Sequence, residues 1–361
     1  MPEPREVDRP VPVEGRATSP GQGRESGPDE WLREVVGGDL ARPVTVVVDA
    51  AHGSAGRAVR GLARGHDSPL TLVLLRGDDE PGGAPAPTSG DLRDAGLRTR
   101  ADAAASTADL RAAVLEHGAD LGLALDPTGC ALTVLDETGQ PVDEGVVAVV
   151  LGLRTVAREL EAGRTPTVVH DVLASRVLDD LVGGAGADLV RVRVGRTALV
   201  DAVAQHGAAL GVGHGGVLVV GSAGAPDGVG RGPADSPAGP ALLAGLHVVA
   251  ALAGQPHAMS VLAELYQPYV STGVLVVDTP DAAAALERVH DAYVARQGAG
   301  PVEADPLDGL TVSHWDQMPQ WWFSLRASDA GNRVGLLVEA ADEDIVEKVR
   351  DDVLALVRED R

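Results

Sequence analysis

Gly118–Cys130 reads Gly-Ala-Asp-Leu-Gly-Leu-Ala-Leu-Asp-Pro-Thr-Gly-Cys, and the fold class follows from this stretch and its surroundings. Leu121–Leu125 is a short apolar run bounded by turn residues, which is typical of a buried strand in a parallel sheet. A helical segment, Thr107–His117, precedes it, and further apolar runs occur at Val44–Val48 and Thr167–Val172. Strands that alternate with helices predict α/β domains with parallel sheets and right-handed crossovers.

The C-terminal part of the chain has a different pattern. Strand-like segments are interspersed with amphipathic helical segments, which predicts a small α+β domain with helices on one face of an antiparallel sheet. The strands are predicted at Gly273–Val277, Thr311–His314, Trp321–Arg326 and Arg333–Ala340, and the helices at Asp281–Arg296 and Asp342–Arg358. Residues 1–28 are rich in Pro, Gly, Glu and Arg without an apolar period, so a disordered tail is predicted there.

Composition excludes several classes of partner. The formal net charge is −23, from 30 basic and 53 acidic residues. Nucleic acids and anionic membranes need a positive field, so neither is expected as a partner. The one cysteine, Cys130, excludes an internal disulfide. No signal-peptide pattern is visible, and the longest apolar runs are too short for a membrane span, so a cytoplasmic location is expected.

The loop after Leu121–Leu125 resembles the metal loop of the α-D-phosphohexomutases, the phosphomannomutase/phosphoglucomutase superfamily. In that family Ala-Asp-Leu-Gly and an apolar strand lead into Asp-Gly-Asp-Ala-Asp-Arg, whose aspartates give Mg²⁺ its oxygen ligands. Asp126 is retained here, but Thr128 and Cys130 occupy the other two ligand positions and Ala131 that of the arginine. We therefore expect Asp126 to be a remnant of the metal site, without a function in metal binding, and we expect no cofactor.

A second resemblance concerns Gly211–Gly216. This segment fits the dinucleotide fingerprint G-x-G-x-x-G, but a strand follows where the fingerprint needs a helix, so nucleotide binding is disfavoured. The segment instead resembles the family's sugar-recognition loop, Phe-Gly-Gly-Glu-His-Ser-Gly-His. In that register His214 matches, while Gly213 replaces the glutamate and Gly215 the serine that bind sugar hydroxyls.

A third resemblance places a partial phosphate site near the C-terminus. Trp321–Ser328 resembles the run into the family's last phosphate loop, Arg-x-Ser-Asn/Gly-Thr-Glu-Pro. Arg326 and Ser328 match, whereas Asp329 adds a negative charge where a phosphate would lie. The resemblance thus implies a weak site for a sugar phosphate at Arg326, Ser328 and His214.

The resemblance extends over residues 29–361 and implies a domain organisation. The family motif Thr-Ala-Ser-His-Asn-Pro, whose serine is phosphorylated during catalysis, does not occur in the sequence. We therefore expect a degenerate member that lacks the N-terminal phosphoserine domain. The implied divisions are a tail (1–28), an α/β domain with the degenerate metal loop (29–162), an α/β domain with the degenerate sugar loop (163–270) and an α+β domain with the partial phosphate loop (271–361).

Two other groups of residues are interpreted as structural. His170 and Asp171 are adjacent on a predicted strand, so their side chains should point to opposite faces and not form a catalytic pair. Trp315, Trp321 and Trp322 could stack on a sugar, but such a cluster is more often the core of a small domain.

These resemblances lead to one principal functional hypothesis and two alternatives. The principal hypothesis is a catalytically inactive phosphomannomutase-like protein of carbohydrate metabolism that acts as a binding or regulatory partner. The alternatives are a divergent active phosphosugar mutase or phosphatase, and a sugar-phosphate sensor; whether the chain is an enzyme stays open. The expected partners are a second copy of the chain or a complete mutase.

Overall fold

The computed structural model describes residues 40–51, 55–64, 69–77, 107–126, 129–221, 239–295 and 302–359. The predicted tail at 1–28 lies outside these residues. The described residues group into two compact units. Within the described ranges, the first unit draws on residues 40–77, 107–141 and 239–260, and the second on residues 142–221 and 261–359.

The described residues form thirteen strands, eight α-helices and two π-helical turns. The strands are β1 (Val44–Asp49), β2 (Leu70–Leu75), β3 (Leu121–Leu125), β4 (Leu132–Leu135), β5 (Thr167–Asp171), β6 (Asp188–Val192), β7 (Leu210–Gly213), β8 (Val217–Val220), β9 (Val270–Asp278), β10 (Glu303–Asp305), β11 (Leu310–Ser313), β12 (Trp321–Ala327) and β13 (Arg333–Ala340). The α-helices are α1 (Ala55–Arg64), α2 (Ala108–His117), α3 (Glu144–Glu161), α4 (Arg196–His206), α5 (Gly239–Ala253), α6 (Met259–Leu265), α7 (Ala282–His290) and α8 (Glu343–Arg358), with π-helical turns at Asp179–Gly183 and Asp291–Ala295.

The first unit is built on a four-stranded sheet in the order β2-β1-β3-β4. β1 pairs in parallel with β2 and β3, and β4 runs antiparallel to β3. α2 packs on the side of the sheet that Gly122 faces, and α5 packs on the opposite side, against Leu123 and Leu132. α5 is apolar around its whole circumference and is accordingly buried along nearly its full length.

The second unit contains a sheet of the same design, in the order β6-β5-β7-β8. β5 pairs in parallel with β6 and β7, and β7 and β8 form an antiparallel hairpin. α4 covers one face, where Leu199 and Val203 pack against Val169 and Val219.

The two sheets share a helix-to-strand construction. Residues 116–123 read Glu-His-Gly-Ala-Asp-Leu-Gly-Leu and residues 205–212 read Gln-His-Gly-Ala-Ala-Leu-Gly-Val. In each case a left-handed glycine ends the helix, and a second glycine on the strand lies under it. A Cβ atom on Gly122 would be 2.7 Å from Val114 Cγ2, and one on Gly211 would be 2.8 Å from Val203 Cγ2. The strand glycines therefore allow each helix to pack closely on its sheet.

The second unit also contains a five-stranded antiparallel sheet in the order β10-β11-β12-β13-β9. Residues of β12 alternate between its faces, so Trp321 and Phe323 join the core under α7 and α8. Trp322 faces the other way and packs with Val172 and Leu173, which directly follow β5. Trp321 and Trp322 are buried, as predicted, and Trp315 is partly buried. Arg326 lies on the same face of β12 as Trp322.

The predicted fold class, two α/β domains with a C-terminal α+β domain, is confirmed by the three sheets and their helices. The division into a tail and three domains stays a prediction. Packing groups α3 with the second unit and α5 with the first.

Candidate functional site

Asp126, the retained residue of the predicted metal loop, closes the loop in which it lies. Its Oδ1 atom accepts hydrogen bonds from the backbone N–H groups of Cys130 and Ala131, each at 2.6 Å. The backbone of Asp126 also bonds to Gly129 and Ala131. Residues 127 and 128 lie outside the described part. The Asp126 carboxylate thus has a structural task at the end of β3.

The donor set of this loop does not fit Mg²⁺. The ion prefers six oxygen ligands in near-octahedral geometry, usually with one or two protein carboxylates and waters. The loop offers one carboxylate, and one of its oxygens already accepts two N–H groups. Among the described residues there is no group of three or more His, Cys, Asp or Glu side chains able to hold a metal ion. That the chain does not bind Mg²⁺ remains a prediction.

His214 lies in the turn between β7 and β8, and that turn is held by two acidic residues. Asp171 Oδ2 accepts from His214 N at 2.7 Å, and Glu144 Oε2 accepts from Gly215 N at 2.9 Å. The imidazole Nδ1 of His214 lies 3.3 Å from the same Glu144 oxygen, with the side chain 12% exposed. Carboxylate oxygens of Asp171 and Glu144 therefore stabilise the turn that resembles the sugar loop.

Asp171 and His170 at the end of β5 have separate roles. The Asp171 carboxylate also accepts from Leu173 N at 2.9 Å, so it fixes the turn after β5 as well as the hairpin. Burial raises the pKa of Asp171 from its ordinary value, and the N–H of His214 opposes this rise. His170 Nδ1 lies 3.0 Å from the Asp171 backbone oxygen, and that the two side chains do not form a catalytic pair stays a prediction.

Arg326 is paired with Asp308. Arg326 Nε lies 3.0 Å from Asp308 Oδ2, and Nη2 lies 3.4 Å from Oδ1. Asp308 Oδ2 also accepts from Val194 N at 2.8 Å. Gly309 permits this approach: its φ is +87°, and a Cβ there would lie 2.5 Å from Leu325 O. The guanidinium predicted to bind phosphate therefore already holds a carboxylate.

Ser328 is part of the turn that joins β12 to β13. Its Oγ accepts from Arg333 N at 3.2 Å and lies 3.4 Å from Asn332 Oδ1, and its backbone N donates to Arg333 O at 2.9 Å. Ser328 is 6% exposed. The Ser328 hydroxyl thus stabilises this turn. Its predicted role in phosphate binding stays untested, as do those of Arg326 and His214.

The sequence did not point to Asp308, Glu144 or Asp171 as residues of these sites. Asp308 lies 18 positions before Arg326 in a loop without a recognisable motif. Glu144 follows Asp143, the helix-capping residue whose side chain accepts from Gly145 N. From the sequence it is therefore interpreted as an ordinary acidic residue of a first helical turn. The signal available for Asp171 was its position at the C-terminal end of a parallel strand, where ligand sites often lie.

Comparison with known proteins agrees with this architecture. Residues 144–269 match the family described as phosphoglucomutase/phosphomannomutase, alpha/beta/alpha domain III. A phosphoglucomutase/phosphomannomutase family protein of Burkholderia thailandensis has a similar structure, with a TM-score of 0.67 at 20% identity over 92% of this chain and 64% of that one. Together these similarities support membership of the chain in the α-D-phosphohexomutase superfamily.

Relatives in sequence are phosphoglucosamine mutases. That of Streptomyces coelicolor is 31% identical over 212 residues, which are 57% of this chain and 43% of the relative. That of Mycolicibacterium smegmatis is 28% identical over 343 residues, which are 92% of this chain and 65% of the relative. The chain therefore spans less than two thirds of the length of either relative.

None of the described helices combines the length and the apolar character that crossing a bilayer requires.

Proposed function

We propose that this chain is a catalytically inactive phosphohexomutase homologue that acts as a binding or regulatory protein in carbohydrate metabolism. The ion pair between Arg326 and Asp308 is the observation that carries the proposal. It places a carboxylate on the guanidinium that the family resemblance assigns to phosphate, so the positive charge is neutralised within the chain. A phosphate would have to displace a partly buried partner to reach it.

The chemistry of phosphoryl transfer supports the same conclusion. Such reactions depend almost entirely on positioning and on neutralising the charge of the transferred group. A mutase needs a phosphoserine donor, a cation, a basic cradle and sugar contacts. These 361 residues contain no Thr-Ala-Ser-His-Asn-Pro motif. Asp126 is engaged by its own loop, Arg326 is paired, and glycine replaces the sugar-binding glutamate at Gly213.

Turnover of hexose phosphates tests the proposal directly. The purified chain is incubated with the 1- and 6-phosphates of glucosamine, glucose and mannose, with Mg²⁺ and the matching bisphosphate activator. We expect no conversion above a no-enzyme control, while a complete phosphoglucosamine mutase in parallel shows that the assay works. Conversion that disappears in Asp126→Ala would identify a divergent active mutase. Release of inorganic phosphate would identify a phosphatase. Either result overturns the proposal.

The proposal includes a protein partner. The segment that resembles the family's second domain buries a face against the phosphoserine domain in complete mutases. We infer that a second copy of the chain, or a complete mutase of the same cell, binds at the corresponding face. Light scattering of the purified chain and of its mixture with a complete mutase tests this inference. If the chain stays monomeric in both samples at micromolar concentration, the inferred partner is contradicted.

A further inference from the structure

The second unit contains a cleft of about 290 Å³ between the end of the β6-β5 pair and the β10-β11 hairpin. This volume lies just below the range of about 300–1,000 Å³ that is usual for small-molecule pockets. None of the predicted site residues lines it: Asp126, His214, Arg326 and Ser328 all lie elsewhere. The cleft is therefore distinct from the positions that the family resemblance singles out.

His170 contributes a hydrogen-bond acceptor to this cleft. It is 6% exposed, and within the described residues it makes one hydrogen bond, between Nδ1 and the Asp171 backbone oxygen. A carbonyl oxygen can only accept, so Nδ1 carries the proton in this bond. Burial lowers the pKa of His170 and outweighs the opposing effects of Asp179 and Asp171, so the neutral ring is favoured. Nε2 therefore has a lone pair and, among the described groups, no donor to fill it.

Two arginines contribute donors. Arg191 Nη2 lies 3.3 Å from Thr311 Oγ1 and Nη1 pairs with Asp305. Arg176 Nη2 lies 3.4 Å from Ser313 Oγ. Each guanidinium has five N–H groups, so donors remain for a ligand.

Carboxylates balance these cations. Arg176 lies 3.5 Å from Asp179, Asp305 pairs with Arg191, and Glu303 lines the same cleft. Three carboxylates against two guanidiniums leave no net positive field for an anion, and the chain as a whole carries −23. A ligand with an ammonium group would in turn be repelled by both guanidinium groups.

An apolar wall completes the cleft. Ala174 and Ala304 line it with methyl groups, and Trp322, which also lines it, is 2% exposed with its indole Nε1 donating to Glu339 Oε1 at 2.8 Å. A ligand must therefore donate to His170 Nε2, accept from Arg176 and Arg191, carry no net charge, and place carbon atoms against small apolar side chains. Phosphates and carboxylates only accept at neutral pH and amines only donate, whereas a hydroxyl group does both.

We propose that this cleft binds an uncharged polyhydroxylated molecule of about the size of a monosaccharide. His170 accepts from one hydroxyl, the two arginines donate to others, and the Thr311 and Ser313 hydroxyls supply the remaining partners. The proposal does not depend on whether the chain is catalytically active.

Calorimetry and ligand-observed NMR on the full chain test the proposal, with myo-inositol and glucose as neutral probes and glucose 6-phosphate and glucosamine as charged ones. We expect a neutral probe to bind and the charged probes to bind more weakly. Arg191→Ala should weaken binding by about tenfold, as the loss of a hydrogen bond to a charged group would, and Thr311→Val should weaken it by about fivefold, as the loss of a neutral hydrogen bond would. Arg350→Ala is the matched control, because it removes the same charge from the exposed face of α8, and binding should not change.

Further measurements keep the test decisive. Circular dichroism and melting curves show whether each variant folds. Thr311→Val preserves side-chain shape, so it remains informative if Arg191→Ala is unstable. In the wild-type chain, titration with the binding probe should shift the ¹⁵N resonance of His170 Nε2. The proposal is overturned if neither neutral probe binds, if glucose 6-phosphate binds more tightly than glucose, or if binding survives both Thr311→Val and Arg191→Ala.

Discussion

Arg326 and Asp308 form an ion pair with two close contacts, 3.0 Å from Nε to Oδ2 and 3.4 Å from Nη2 to Oδ1, with side chains 13% and 19% exposed. The pair joins β12 to the loop before β11. Because Asp308 also accepts from Val194 N, it ties both segments to the end of β6. A residue that resembles a phosphate ligand thus acts as an internal structural contact.

Removing the charge of Asp308 should expose the latent phosphate-binding capacity of Arg326. Asp308→Asn keeps the side-chain shape and an acceptor for Val194 N, but it no longer neutralises the guanidinium. We expect glucose 6-phosphate to bind weakly to the wild-type chain and about tenfold more tightly to the variant. Stability should fall by about 1–3 kcal/mol, because Arg326 loses its partner. Calorimetry and urea denaturation measure the two effects.

Two variants control this experiment. Asp329→Asn removes the same charge beside Ser328 without touching the ion pair, so it should change affinity less. Arg326→Ala should abolish the binding gained in Asp308→Asn. Unchanged affinity in Asp308→Asn would contradict the assigned role of the pair.

Asp126 should matter for stability and not for metal binding. Asp126→Ala removes the acceptor of the Cys130 and Ala131 N–H groups and should destabilise the chain by about 1–3 kcal/mol. Asp126→Asn retains an acceptor and should cost less. For the wild-type chain, melting curves in millimolar Mg²⁺ and in EDTA should coincide. A Mg²⁺-dependent rise in Tm that is lost in both variants would show that the remnant still binds metal.

Glu339 should make the stability of the second unit depend on pH. Burial raises its pKa above the ordinary value of 4.5, despite hydrogen bonds from Ser175, Trp322 and the Arg176 N–H. The folded state therefore holds this proton more tightly than the unfolded state does. The stabilisation from the protonated form is complete below pH 4.5 and is lost as the pH rises through the folded pKa.

Glu339→Gln removes this contribution while keeping an acceptor for the Trp322 and Arg176 N–H groups. The free energy of unfolding, measured in urea from pH 4.5 upward, should depend less on pH in the variant than in the wild type. Glu347→Gln on the exposed face of α8 is the control and should follow the wild-type curve. Parallel curves for all three proteins would show that the pKa of Glu339 does not change on folding.

The strand glycines of the two related sheets should not tolerate a methyl group. Gly122→Ala and Gly211→Ala place a Cβ within 2.8 Å of a valine methyl, so each should destabilise its unit by about 1–3 kcal/mol. Gly254→Ala is the control, because its nearest neighbour would lie at an ordinary 3.4 Å. Thermal unfolding compares the three. Equal melting temperatures would mean that the helices can move away from the strands.

The sequence by itself determined the class of fold and the order of its principal elements. Apolar runs such as Val44–Val48 form strands because they can be buried on both faces, and α8 forms where apolar residues recur at helical spacing. Such elements are predictable because they depend on residues that are close together in the sequence. The loops at Asp126, His214 and Arg326 were identified through their resemblance to family motifs, and their roles in metal, sugar and phosphate binding stay predictions.

Only the tertiary structure decided which charged side chains pair with one another. β10 reads Glu-Ala-Asp, which has no strand signature, and it is a strand because β11 pairs with it. That pairing brings Asp305 to Arg191 across 114 positions of sequence and helps to form the cleft. Asp308 likewise contacts Arg326 only because the loop before β11 folds back towards β12. Such contacts are not predictable from local patterns, because a charged side chain takes the partner that the packed fold places beside it.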